Sequence, residues 1–304
     1  VEAVMCKSVA GHPALRISFL AVSLLASTAN AVAAPAPGST GAAILVAPTR
    51  VVLENRDRSA AVMVKNSGFE RGTFRLSLVA IDMDRSGRLT PSTAPSPAAQ
   101  MAASLVRLSP RQFVLEPRGT QQVRVVLRKP AALPAGEYRT HLRIEAIPDS
   151  RPAKARSSST KLSIGLTVQP AAVIPVIVRH GELAAKVALT GVRLERTAAK
   201  RKSPNDKTAA PGGLAILLNI QRTGNRSVYG DVAVHFFPGS SAAGIQVGRV
   251  GGVGVYLPLE EREVRLVVQE AVATKLHGGR LRVTYSLPVE QGGSLLAETT
   301  VAVP

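Results

Sequence analysis

Cysteine and tryptophan are almost missing from this sequence. Its 304 residues hold one cysteine, Cys6, and no tryptophan. With one thiol, no internal disulfide can form. Thiolate catalysis and cysteine metal sites are excluded beyond the first few residues. Stability has to come from packing. Aromatic residues are 3% of the chain, too few to interleave with basic side chains as base stacking needs. Acids are scarce as well: 20 stand against 38 lysines and arginines, for a formal charge of +18. Without aromatic platforms, that charge reads as solubility, attraction to an anionic membrane surface or steering of acidic partners, and not as a nucleic-acid surface. The apolar run at residues 17–26 is too short to span a bilayer as a stable helix.

That run carries its own signal. Lys7 and Arg16 precede it, and Ala29-Asn30-Ala31 and Ala31-Val32-Ala33 follow with small-residue spacing. The pattern predicts a secretory signal peptide over residues 1–31, and so export to the periplasm. Residues 32–43 are a Pro/Gly/Ala-rich, disordered lead-in. No integral membrane segment is expected in the exported chain, which is long enough for two domains of ordinary size.

What is abundant is period-two alternation punctuated by turns, with no long 3.6-residue period. Strands are expected at 44–53, 60–66, 72–82, 104–108, 112–116, 121–128 and 137–146, with a Ser/Ala/Pro-rich loop from 92 to 104. A further set follows at 184–194, 214–222, 228–237, 245–257, 263–268, 279–287 and 294–303. The expected class is all-β: two immunoglobulin-like sandwiches, 44–180 and 181–304, joined by a short hinge at His180-Gly181.

Between the two sets lies a long alternation. A polar, basic loop at 148–160 precedes it. Then Leu162, Ile164, Leu166, Val168, Ala172, Ile174, Val176 and Val178 all fall on even positions. As one strand of 17 residues it would run about 56 Å at about 3.3 Å per residue, far beyond the usual strand. Its first part must overhang the sandwich or find another partner. Pro170 and Pro175 lack an N–H, which predicts a sheet edge, and an apolar edge invites pairing.

The motifs of the first half come in a recognisable order. Thr49-Arg50-Val51-Val52 is followed by Arg58-Ser59 with Val62, Val64 and Asn66. Then come Ser109-Pro110, Leu115-Glu116-Pro117, Gln122-Val123-Arg124, Leu133-Pro134 and Ile147-Pro148. Over about a hundred residues this order resembles the N-terminal domain of the PapD-like periplasmic chaperones, which assemble pili by the chaperone–usher route. The resemblance implies donor-strand complementation. The lending residues would be Leu162, Ile164, Leu166 and Val168, supplied to a pilus or surface-fibre subunit that is then handed to an outer-membrane usher. It also implies that Arg50, placed in the first strand, binds the subunit's terminal carboxylate, for which a planar, always-charged fork is suited. The family's second cation, a lysine, would fall near Val173, which is apolar. Arg179 is the candidate replacement at the strand's end, Lys161 lies before the apolar row, and the second cation could be absent. The exposed strand also allows a self-capped dimer. A stand-alone envelope-binding protein on the same sandwich pair is the rival reading, and a polyanion binder the third.

Other motifs carry little chemistry. Asp82-Met83-Asp84-Arg85-Ser86-Gly87 has Thr93 where a calcium loop needs its bidentate glutamate, so it reads as a turn. The glycine-rich 248–254 segment precedes no helix pattern, so it reads as bulges or close strand packing and not a phosphate cradle. His141, His180, His235 and His277 are not at metal-ligand spacing. Glu260-Glu261 reads as a turn. No cofactor and no catalytic activity are expected.

Overall fold

The computed structural model describes residues 43–147, 170–196, 213–241, 243–274 and 276–303. The predicted signal peptide, nearly all of the lead-in, the 148–160 loop, Lys161 and the row Leu162, Ile164, Leu166 and Val168 lie outside them.

The first half is built from β1 (Ile44–Ala47), β2 (Val51–Leu53), β3 (Ser59–Asn66), β4 (Gly72–Val79), β5 (Ile81–Met83), β6 (Leu89–Pro91), α1 (Pro97–Leu105), β7 (Val106–Ser109), β8 (Gln112–Leu115), β9 (Thr120–Leu127), β10 (Gly136–Ile147) and β11 (Ala171–His180). One sheet has the order β1-β3-β9-β7 and the other β2-β11-β10-β4-β8, while β5 and β6 form a separate hairpin. Alternate residues of both sheets meet in one core: Val62, Val64, Val123 and Val125 from the first, Phe74, Leu142, Ile144, Val176 and Val178 from the second.

The second half comprises β12 (Ala185–Arg196), β13 (Leu214–Gly224), β14 (Val228–Pro238), β15 (Ile245–Val255), β16 (Glu261–Val268), the short α2 (Glu270–Ala273), β17 (Gly279–Ser286) and β18 (Leu295–Val303). Sheets β12-β13-β16 and β15-β14-β17-β18 enclose a second core. The chain is thus an all-β pair of immunoglobulin-like sandwiches. It crosses between cores at His180-Gly181. Gly181 has φ +76, and a Cβ there would lie 2.5 Å from that of Ala135, so this corner requires glycine.

Two expectations are corrected. The strand expected at 44–53 is two strands. The chain leaves the first sheet after Ala47, and β2 joins the second sheet parallel to β11, with Val51 opposite Val176 and Leu53 opposite Val178. Pro48, with no N–H for a ladder, stands at the break. Arg50 therefore sits in the connection just before β2, not within a strand. The loop expected at 92–104 contains α1. The Ser96 hydroxyl caps it by accepting from the Ala99 N–H at 3.2 Å, proline opens the first turn, and Ala102 and Leu105 are buried. A Ser/Ala/Pro composition suggested a loop, whereas Ser-Pro followed by alanines is also a good helix start.

The edge expected at the prolines is present at Pro175. Between 171 and 175 the outer side of β11 has no paired strand among the described residues, as its prolines suggested. Over 176–178 β2 covers it.

Asn66 fixes one end of the first sandwich. It is fully buried, donates to the carbonyls of Glu70, Leu115 and Glu116 at 2.7, 3.3 and 3.3 Å, and accepts from the N–H groups of Ala43 and Gly68. A buried amide with every atom engaged holds three loops in one arrangement.

Candidate functional site

The alternation that fills the first core also decides what lies on the far side of its sheet. Even residues of β10 and β11 point inward, so Glu137, Arg139 and His141 of β10 share the outer face with Pro175, Ile177 and Arg179 of β11. Arg50 and Glu54 flank β2 on the same face. Ile177 is 0% and His141 1% exposed although they face away from the core. Arg139 and Arg179 of this face donate to carbonyls of the second sandwich, so that sandwich lies against it.

At the hinge end these contacts are ionic. Arg179 donates from Nε to Glu137 Oε2 at 2.9 Å, from Nη1 to Glu54 Oε2 at 3.0 Å and from Nη2 to the Ser227 carbonyl at 3.2 Å. Glu137 Oε2 also accepts from the Ser227 N–H at 3.1 Å. Arg222, 2% exposed, braces the same turn by donating to the carbonyls of Leu259, Gly224 and Arg226. A buried ion pair that also binds both backbone groups of Ser227 fixes one arrangement of the two halves.

One and two register rows further from the hinge the surroundings change. The Arg139 guanidinium lies 4.9 Å from the centre of the Tyr256 ring, and that of Arg50 lies 4.6 Å from Tyr229. Arg139 donates to the Leu257 carbonyl at 3.3 Å. Neither arginine has a carboxylate partner among the described residues. Arg50 Nε and Arg139 Nη1 are buried with no hydrogen-bond acceptor among the described residues. Burial lowers the pKa of both guanidiniums and raises that of the Tyr256 phenol. Burial, with the nearby Arg139 charge, pushes His141 down to about 3, so it is neutral near pH 7.

Local sequence accounts for this wall of rings. The chain has four tyrosines, and three of them, Tyr229, Tyr256 and Tyr285, border the junction. The glycine-rich stretch of β15 seats them. A Cβ at Gly252 would lie 2.8 Å from the Tyr229 hydroxyl, and one at Gly254 would lie 2.7 Å from the Tyr256 ring. The β14–β15 register shifts between Gly230 and Val232, so the segment provides both a bulge and close packing. Tyr285 donates to the Val253 carbonyl at 2.7 Å.

The β5–β6 hairpin closes another side. Asp84 turns it by accepting from the Ser86 hydroxyl and the Arg88 N–H, contacts that hold its carboxyl below the usual range. The Glu263 N–H donates to the Arg85 carbonyl at 2.7 Å, and the Arg262 guanidinium packs against Gly87. A cavity of about 550 Å³ opens beside Arg139 and Tyr256, between this hairpin and the 257–261 segment.

Of the residues singled out from sequence, the structure brings Arg50 and Arg179 to one sheet face and gives them different surroundings. Arg179 is enclosed by Glu137, Glu54 and Ser227. Arg50 stacks on a tyrosine. Arg139, Tyr229, Tyr256, Glu137 and Ser227 were not foreseen, because they converge from segments far apart in sequence. The one usable signal was the proximity of Tyr256 to a glycine run.

Two facing sandwiches with a guanidinium-lined junction define a two-domain immunoglobulin-like protein. Residues 43–179 match the family model described as the pili and flagellar-assembly chaperone, PapD N-terminal domain. Those residues, less than half of the chain, are thus similar to the N-terminal domain of that chaperone family. Among solved structures it is similar to the CupB2 chaperone of Pseudomonas aeruginosa (14% identity, 86% of this chain and 100% of that one, TM-score 0.40). It is also similar to the Escherichia coli chaperone DraB (12%, 86% and 98%, TM-score 0.39). A third is the CsuC–CsuE chaperone–tip subunit complex of Acinetobacter baumannii (11%, 76% and 91%, TM-score 0.37). No curated protein matches the chain.

Proposed function

We propose that this protein is a periplasmic chaperone that binds pilus or surface-fibre subunits by donor-strand complementation and delivers them to an outer-membrane usher. The observation that carries this reading is the outer edge of β11. From 171 to 175 no described strand pairs with it, and the row Leu162, Ile164, Leu166 and Val168 leads straight into it. An incoming strand would continue the sheet there, while the apolar row fills the groove of a sandwich that lacks one strand. Arg50, with no anion of its own, lies beside that edge, where the incoming chain would end. The likeness of residues 43–179 to the pilus-chaperone family model supports the same role.

The rival is an envelope-binding module that does not cycle subunits. It draws support from Val173 and Pro175, which leave β11 without the family's lysine. Pull-down of the exported, tagged chain followed by mass spectrometry separates the two. The chaperone reading expects a small β-rich secreted protein at one-to-one stoichiometry, lost in Leu166→Asp. An unrelated envelope protein indifferent to that substitution would support the rival.

A further inference from the structure

The cavity of about 550 Å³ beside Arg139 is lined by the β5–β6 hairpin, by β13 and by the 257–261 segment, and not by Arg50 or β11. Its size is that of a small-molecule site. Its charge sets it apart from the rest of the chain. Arg85, Arg139 and Arg222 stand with Asp82, Glu260 and Glu261, so the lining sums to zero in a protein of formal charge +18.

The three cations are not equivalent. Arg222 is fully engaged: its Nε and Nη2 donate to the Leu259 carbonyl and its Nη1 to those of Gly224 and Arg226. Arg85 is exposed in the hairpin turn. Arg139 is held over the Tyr256 ring, donates from Nη2 to the Leu257 carbonyl, and keeps a buried Nη1 with no acceptor among the described residues. The acids are alike: none of the three has an ion-pair partner among the described residues.

We infer that this cavity binds a small zwitterion, its planar acid group on Arg139 and its ammonium among Asp82, Glu260 and Glu261. A simple anion would meet three carboxylates, and a simple cation would meet the Arg139 charge. A ligand with both signs supplies the buried guanidinium with an acceptor and the acids with a counter-ion. The site does not depend on the subunit-binding reading. It draws Asp82 and Arg139 from the first sandwich and Glu260 and Glu261 from the second, so a bound ligand joins the two and stabilises the folded pair by mass action.

The test titrates the whole exported chain, labelled with 15N, and follows the arginine Nε–Hε signals. The probes are amino acids of increasing span: glycine, β-alanine, γ-aminobutyrate and ε-aminocaproate. Butyrate and butylamine carry one charge each and serve as controls. The expected result is that at least one zwitterion moves the Arg139 signal saturably, binds roughly tenfold tighter than either control, raises the unfolding temperature and leaves Arg179 fixed. Arg139→Gln keeps a donor for the Leu257 carbonyl, removes the charge and should weaken that zwitterion, read by the unfolding temperature, roughly tenfold. Asp82→Asn, Glu260→Gln and Glu261→Gln combined, all at exposed or half-buried positions, should weaken it as much and make butyrate bind more tightly than it does to the natural chain. This variant leaves the buried arginine in place, so it decides the matter even if Arg139→Gln does not fold. No saturable response to any zwitterion, a control that binds as tightly as the best of them, or a zwitterion indifferent to the three acid substitutions would each overturn the assignment.

Discussion

Arg179 and Arg50 stand on the same face of the same sheet, two register rows apart, and differ in almost everything else. Arg179 has two carboxylates and a carbonyl within 3.2 Å. Arg50 has a ring beneath it and a buried nitrogen with no acceptor. The lesson is that residue type does not separate a structural arginine from a ligand-binding one. Charge balance does. A cation whose partners are already in the chain holds the halves together, and one buried without a described anion is free to take one from a ligand, which is the role proposed for Arg50.

The largest test of that contrast is Arg179→Ala. It strands Glu137, which is 7% exposed and whose Oε1 already lacks a partner. Removing one side of a buried pair costs about 3–5 kcal/mol. Urea unfolding should show that loss. If stability is unchanged, Arg179 is not holding the junction, and its role as second anchor returns.

The next effect belongs to His141, which stands opposite Pro175 on the row that Arg50 reaches. The folded pKa of His141 is about 3, against 6.5 for the ordinary group. Between these values the unfolded chain binds the proton and the folded chain does not, so stability rises with pH in this window. The contribution is complete above about pH 6.5 and is lost as pH falls toward 3. His141→Gln should flatten the decline in urea midpoint between pH 6.5 and 5, above the range where most carboxylates titrate. Parallel slopes for the two proteins would mean that His141 is charged in the fold.

Much of this arrangement could be read in the sequence, and the limits have physical causes. Period-two patterning gave the strands and both cores, since inward residues must alternate wherever one face is buried. It also set Ile174, Val176 and Val178 on one face of their strand, the face the structure buries in the first core. It could not show that Pro48 moves the chain from one sheet to the other, because both halves of 44–53 alternate equally well. It could not find Arg139 or Glu137 either. On an outer face, an odd-numbered charged residue of β10 is indistinguishable from a solvated one until the second sandwich covers it. That covering depends on Ser227, Tyr229 and Tyr256, about a hundred residues away. The donor row and Arg50 were picked out by family resemblance, and the glycine run was read only as close packing, with no indication of what it packs against.

A smaller effect comes from the support beneath the rings. Gly252 has φ +71, and a methyl group there meets the Tyr229 hydroxyl at 2.8 Å. Gly252→Ala should cost about 1–2 kcal/mol from backbone conformation alone and displace the ring on which Arg50 rests. If the comparison holds, subunit capture falls while the hinge ion pairs persist, seen as an unchanged Arg179 Nε–Hε signal. Loss of both would mean that the two rows form one cooperative unit.

The smallest expected change in stability is the sharpest test. Arg50→Ala removes a guanidinium whose burial is uncompensated by any described anion, so the lost cation–π contact is offset by relief of desolvation. The net change should lie within about 0.5 kcal/mol, while recovery of a bound subunit falls steeply. Arg50→Lys keeps the charge but not the planar fork and should restore only part of that binding. A large loss of stability in Arg50→Ala would place Arg50 with Arg179 among the residues that hold the halves together. The junction would then have one kind of arginine and no anchor.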